Sequence, residues 1–220
     1  LGGGAVPDVT MRFAGESYDG YQRRLNEKGP MNRSSLIRSV VVGYENQPLR
    51  VIADFIKGEI RNGMNMPRFF DALNQFSGDE YPSMGKLIRA YKLAIKELKE
   101  NGEKTHVFAY FSISYSKKHE DPTANAKSFR DYLEKLKEAL AHTGEGEEAL
   151  GPEEYGIEIK DMVGNGLQED IQALVDVIQD VFKPHQPIIS YHSHAPLGSK
   201  RTADKLMQIK GIQQIDVCNG

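Results

Sequence analysis

The sequence predicts a parallel α/β fold on three observations. Short apolar runs alternate with longer amphipathic stretches at spacings of roughly 25 to 50 residues, the rhythm of strand–helix units. Polar residues collect at the carboxyl ends of several runs: Arg38, Asp71 and Asn74, Ser114, Lys160 and Asp161, His192 and His194. No G-x-G-x-x-G or P-loop follows any run, which weakens the nucleotide-binding version of such a fold. An open doubly wound sheet and a closed (β/α)₈ TIM barrel share the rhythm. Barrels assemble their sites at strand carboxyl ends, so the barrel is the expected architecture.

The elements follow from periodicity. Strands are expected at "LIRSVVVG" (36–43), "MPRFFDAL" (66–73), "THVFAYFSIS" (105–114), "YGIEIKDM" (155–162), "PIISYHSH" (187–194) and "IQQIDVC" (212–218). Helices are expected at about 48–62, 84–100, 122–142, 167–182 and 199–210. The second is the clearest, because Leu87, Ala90, Tyr91, Ala94, Ile95 and Leu98 make one apolar stripe and Gly102 stands at a C-cap position. The third opens with Asp121 as N-cap and Pro122 in the first turn. A whole barrel needs about 250 residues, against 220 here. The barrel is therefore expected to be incomplete, with its first strand and its C-terminal part missing, as a single domain over 1–220. The acidic stretch 142–154 is a solvated connection, not a boundary.

A formal net charge of −3 excludes a strong pull toward nucleic acid or an anionic membrane, and no apolar run is long enough to span a bilayer. The start has no signal-peptide pattern and Cys218 is the only cysteine, so a cytoplasmic location is expected.

Residues two apart on a strand share a face, so His192 and His194 project together, with Ser190 below them and Ile189 and Tyr191 opposite. Two such imidazoles are half a site for zinc, cobalt or manganese, or else two histidines in an ordinary polar loop. Lys160 stands inside an apolar strand, where a bare ammonium is costly. It either pairs with a carboxylate, Glu158 or Asp161 being nearest, or is a reactive amine that can take up CO₂ as a carbamate, an oxygen ligand for a metal.

Four stretches, in order and at similar spacing, resemble the carboxyltransferase domain of biotin-dependent enzymes (pyruvate carboxylase, the oxaloacetate decarboxylase α subunit and the pyruvate-side subunit of transcarboxylase). "GGGAVPDVTMRF" (2–13) resembles that family's second strand, and "NGMNMPRFFDALNQ" (62–75) its fourth, with "RFFDALN" its specific part. "IEIKDMVG" (157–164) resembles the sixth, and "ISYHSHAPLG" (189–198) the seventh, with its H-x-H. The resemblance implies a divalent metal (Zn, Co or Mn) on carbamylated Lys160, His192 and His194, and catalysis of carboxyl transfer between biotin and pyruvate or oxaloacetate. It further implies a biotinylated carrier domain or subunit as partner, a homo-oligomer, and Arg38, Asp71 and Asn74 as substrate-binding residues, Arg38 with a catalytic part beside Lys160.

The chain also departs from the family. The first-strand motif with the fourth ligand, an aspartate, has no counterpart here, and "IRSVVVGY" keeps Arg38, Gly43 and Tyr44 but lacks the family's glycine and asparagine. Two alternatives remain: a lyase or synthase acting on acyl-CoA or 2-oxo acids within the same metal-dependent barrels, and an inactive scaffold relative. "IKDM" argues against the first. The 220 residues alone are expected to be inactive.

Overall fold

The structure, a computed structural model, describes residues 39–42, 47–71, 74, 84–103, 105, 107–142, 149–193 and 208–217. Arg38, His194, Cys218, the stretch 2–13 and most of the expected helix 199–210 lie outside the described residues.

Among the described residues, six strands form one sheet in chain order: β1 (Ser39–Val42), β2 (Met66–Phe69), β3 (Ala109–Ser114), β4 (Tyr155–Asp161), β5 (Ile188–Ser193) and β6 (Ile212–Val217). Every neighbouring pair is parallel. A doubly wound sheet reverses its order at a switch point, and no reversal occurs among these strands. The helices among the described residues are α1 (Leu49–Arg61), α2 (Met84–Glu100), α3 (Pro122–Lys127), α4 (Arg130–Ala141) and α5 (Gln168–Val181). They pack as a connected layer, α1 on α2, α2 on α4, α4 on α5, and α3 on α5.

All six stripe residues of α2 are buried. Its end is a Schellman turn. Gly102 takes φ +73° and donates its N–H to the Lys99 carbonyl, while the Glu103 N–H reaches back to Leu98. The expected helix over 122–142 is instead two helices. Asp121 caps the first, its Oδ2 accepting the Ala124 N–H at 2.6 Å, with Pro122 behind it. Ser128 then turns its hydroxyl onto the Asn125 carbonyl, and the Phe129 N–H bonds to Ala126, three residues back. This tighter turn brings the buried Phe129 ring onto Tyr115, 6.2 Å away and nearly parallel. Burying an aromatic ring outweighs helix continuity there.

The two faces of the sheet differ chemically. Toward the helices, Phe69, Phe111, Ile113, Ile157, Ile159, Ile189 and Tyr191 join the helical stripes in one core. Phe69 stacks on Phe111 with centroids 5.1 Å apart, and both touch Tyr91 of α2. Alternation sends Arg68, Tyr110, Ser112, Glu158, Lys160, Ser190, His192 and Gln214 to the opposite face, where all are buried. A face this polar and this buried needs internal partners, and those partners define the candidate site.

Candidate functional site

Parallel pairing sorts the polar face into levels. At the carboxyl end, Ser114, Lys160, His192 and Asp216 hold successive register positions on β3, β4, β5 and β6. One level down stand Ser112, Glu158, Ser190 and Gln214, and below them Arg68, Tyr110 and Gly156 on β2, β3 and β4. Lys160 and His192 are thus direct cross-strand neighbours. They are 4% and 6% exposed.

The lower levels hold an ordered polar network. A Cβ on Gly156 would come within 2.5 Å of the Tyr110 ring and 2.7 Å of the Ile188 carbonyl, so only glycine leaves room for that ring. Tyr110 extends across the sheet to donate its hydroxyl to Gln214 Oε1 at 2.7 Å. Burial, opposed by Arg68 and reinforced by Glu158, pushes the Tyr110 phenol up to about 12.

Glu158, fully buried, links the levels. Its Oε1 lies 3.0 Å from Arg68 Nη1, and its Oε2 accepts the Ser112 hydroxyl at 3.1 Å. The same Oε2 stands 3.9 Å from Lys160 Nζ, which lies 4.4 Å from the centre of the Phe70 ring. The Lys160 amine is therefore held between a carboxylate and an aromatic face. Ser190 Oγ and Gln214 Nε2 have no hydrogen-bond partner among the described residues.

Asp161, next to Lys160 in the chain, serves the other face. Its carboxylate accepts the N–H groups of Gly164, Asn165 and Gly166 and the Tyr191 hydroxyl, at 2.8 to 3.2 Å. Of the two carboxylates nearest Lys160 in sequence, Glu158 is the one that faces it.

Asp71 and Asn74 stand together beyond the end of β2. Asn74, at φ +52°, accepts the Ser114 N–H on Oδ1 and donates Nδ2 to the Ser114 carbonyl, continuing the ladder after β2 has ended. Ser114 Oγ donates to the Asp71 carbonyl at 2.7 Å. Both residues thereby fasten the end of β3, one strand from Lys160. Tyr132 donates to the Ser112 carbonyl, and burial with the nearby charge of Asp71 drives its phenol far upward.

The structure brings Lys160 and His192 together and places Asp71 and Asn74 on the adjoining strand ends. Arg68 and the positional role of Glu158 are not evident in the apolar runs that carry them. The available signal is alternation, since glutamate and lysine two apart in "IEIKD" must share a face. Of the described side chains at this level, the His192 imidazole is the one of a type that ligates a borderline divalent cation, and it stands beside the buried Lys160. Among the described residues, no group of three or more His, Cys, Asp or Glu gathers around such a point. No described helix is long and apolar enough to cross a membrane.

No protein-family profile matches the chain. It is 27% identical over 234 aligned positions to pyruvate carboxylase of Bacillus subtilis (strain 168), an alignment covering 96% of this chain and 20% of that protein. It is 23% identical over 216 positions to the 2-oxoglutarate carboxylase large subunit of Hydrogenobacter thermophilus, covering 97% of this chain and 28% of that protein. The chain therefore spans less than a third of the length of these curated relatives.

Proposed function

We propose that this polar face is the acceptor side of a biotin-dependent carboxyl-transfer site for a 2-oxo acid, pyruvate or oxaloacetate in the first instance. The observation that carries it is the register pairing of Lys160 with His192, both buried on the face turned from the helices. The two relatives support the substrate class, because pyruvate and 2-oxoglutarate, the acids in their names, share a 2-oxo carboxylate. Sequential parallel strands with a helix layer on the apolar face support a (β/α)₈ barrel as the scaffold, its polar interior opening at the strand carboxyl ends.

Lys160, as its carbamate, with His192 and His194 would hold a divalent cation. The chemistry such an ion would supply is Lewis-acid polarisation of the carbonyl oxygen of the 2-oxo acid. Arg38 receives the substrate carboxylate. Asp71 and Asn74 keep the end of β3 fixed beside Lys160. The buried network beneath excludes water, which strengthens every charge interaction at the upper level. Biotin on a partner domain would supply the CO₂.

Metal analysis of the purified full-length protein tests this. Lys160→Ala is expected to lose the bound metal while circular dichroism is retained. Undiminished stoichiometric metal in that variant overturns the assignment.

A further inference from the structure

We propose that the segment 116–127, from the end of β3 through α3, is a strap that latches onto α5 when Lys117 passes from Glu120 to the buried carboxylate of Asp170. The inference goes beyond the carboxyl-transfer reading and stands without it.

The segment leaves the core and returns to it at nearly one point. Tyr115 stands just before it and Phe129 just after it, and their buried rings stack 6.2 Å apart. Tyr115 is held further by its N–H, which donates to the Lys160 carbonyl at 2.8 Å. A loop whose ends are pinned together can swing as a unit. Its interior is tied accordingly. Asn125 Oδ1 accepts the N–H groups of Lys118 and His119 at 2.7 and 3.2 Å, and Asp121 caps α3.

The joint between this strap and α5 is under-satisfied. Asp170, in the first turn of α5 and 1% exposed, has no hydrogen-bond partner on either carboxylate oxygen among the described residues. The amide nitrogen of Asn125 and the hydroxyl of Tyr115, both buried, lack partners there too. Burial first, and then the charge of Asp170, drives the Tyr115 phenol upward, as expected for a carboxylate beside the fixed end of the strap. Four unpartnered polar atoms make this joint easier to open than the apolar core around it.

Lys117 carries the charge that completes the joint. Its ammonium stands 3.3 Å from the exposed Glu120 and 3.9 Å from the enclosed Oδ2 of Asp170. The pair with Glu120 lies within the strap and holds nothing to α5, and such a surface pair is weak. A shift of about 1 Å brings the ammonium to charge-assisted hydrogen-bond distance from Asp170, where water screens the attraction far less. The strap borders the carboxyl end of β3, beside the strand that bears Lys160. Its two positions therefore set how open that rim of the sheet is.

Hydrogen–deuterium exchange of the full-length protein, read by mass spectrometry over 116–127 with α2 as internal reference, provides the test. Asp170→Asn is expected to raise exchange across the strap about tenfold while α2 keeps its protection. Glu120→Gln frees Lys117 for Asp170 and is expected to slow the same amides about twofold. Strap exchange that ignores Asp170→Asn, or that rises only together with α2, overturns the inference. Unchanged or faster exchange in Glu120→Gln overturns it as well, and that exposed position keeps the test decisive even where Asp170→Asn does not fold.

Discussion

Asp161 shows how much one residue can determine. Buried and loaded with three backbone N–H groups and the Tyr191 hydroxyl, it shapes the turn after β4 and anchors it to β5. Asp161→Ala leaves those donors facing a void and is expected to cost about 3 kcal/mol in urea denaturation, against about 1 kcal/mol for Tyr191→Phe. At this scale the sequence is partly legible. Period-two alternation puts Glu158 and Lys160 on one face and Asp161 on the other. What alternation cannot supply is the partner of Glu158. Arg68 lies ninety positions away, and the pair becomes visible only once the strand order sets β2, β3 and β4 side by side.

The elements depend on a few polar fastenings at their ends. Lys92, 2% exposed, reaches from α2 to the carbonyls of Ala139 and His142, both at 2.7 Å, placing a cation on the negative end of α4. Lys92→Met keeps most of the volume and is expected to cost about 2 kcal/mol. Asp121→Ala, which removes the cap of α3, is expected to cost about 1 kcal/mol, and thermal denaturation of the two variants checks both values. The apolar stripe of α2 and the caps at Asp121 and Gly102 are legible because they are local chemistry. The break at Ser128 is not. Leu133, Leu136 and Leu140 continue a helical period, and what turns Phe129 inward is the core with Tyr115 and Lys118 against its ring, which the local sequence does not show.

Across the whole molecule, buried phenols set the alkaline limit. Burial raises the ionisation of Tyr91, Tyr110, Tyr115, Tyr132 and Tyr191 above the ordinary value of 10.0, Tyr110 to about 12. The unfolded chain ionises these groups near pH 10 while the folded chain still holds their protons, so folding stability is complete below that pH and declines as pH rises through it. Urea midpoints at a series of pH values are expected to fall steeply above pH 10, and Tyr191→Phe to soften the fall. A flat profile from pH 9 to 12 would contradict the burial described here. The strand–helix rhythm and parallel pairing are legible at this scale, since each is written in segments of a few residues. The levelled polar face is not, because it arises only when five strands, β2 to β6, are set in register.

That β4 carries a lysine and an aspartate back to back has a consequence for how the chain tolerates change. Inserting a single residue near Ile157 would rotate everything after it by half a pleat, aiming the lysine at isoleucines and the aspartate at the imidazole. Length variation in this protein should therefore accumulate in the connections and spare the middle of this strand, where even a conservative addition exchanges a buried lysine for a loop anchor.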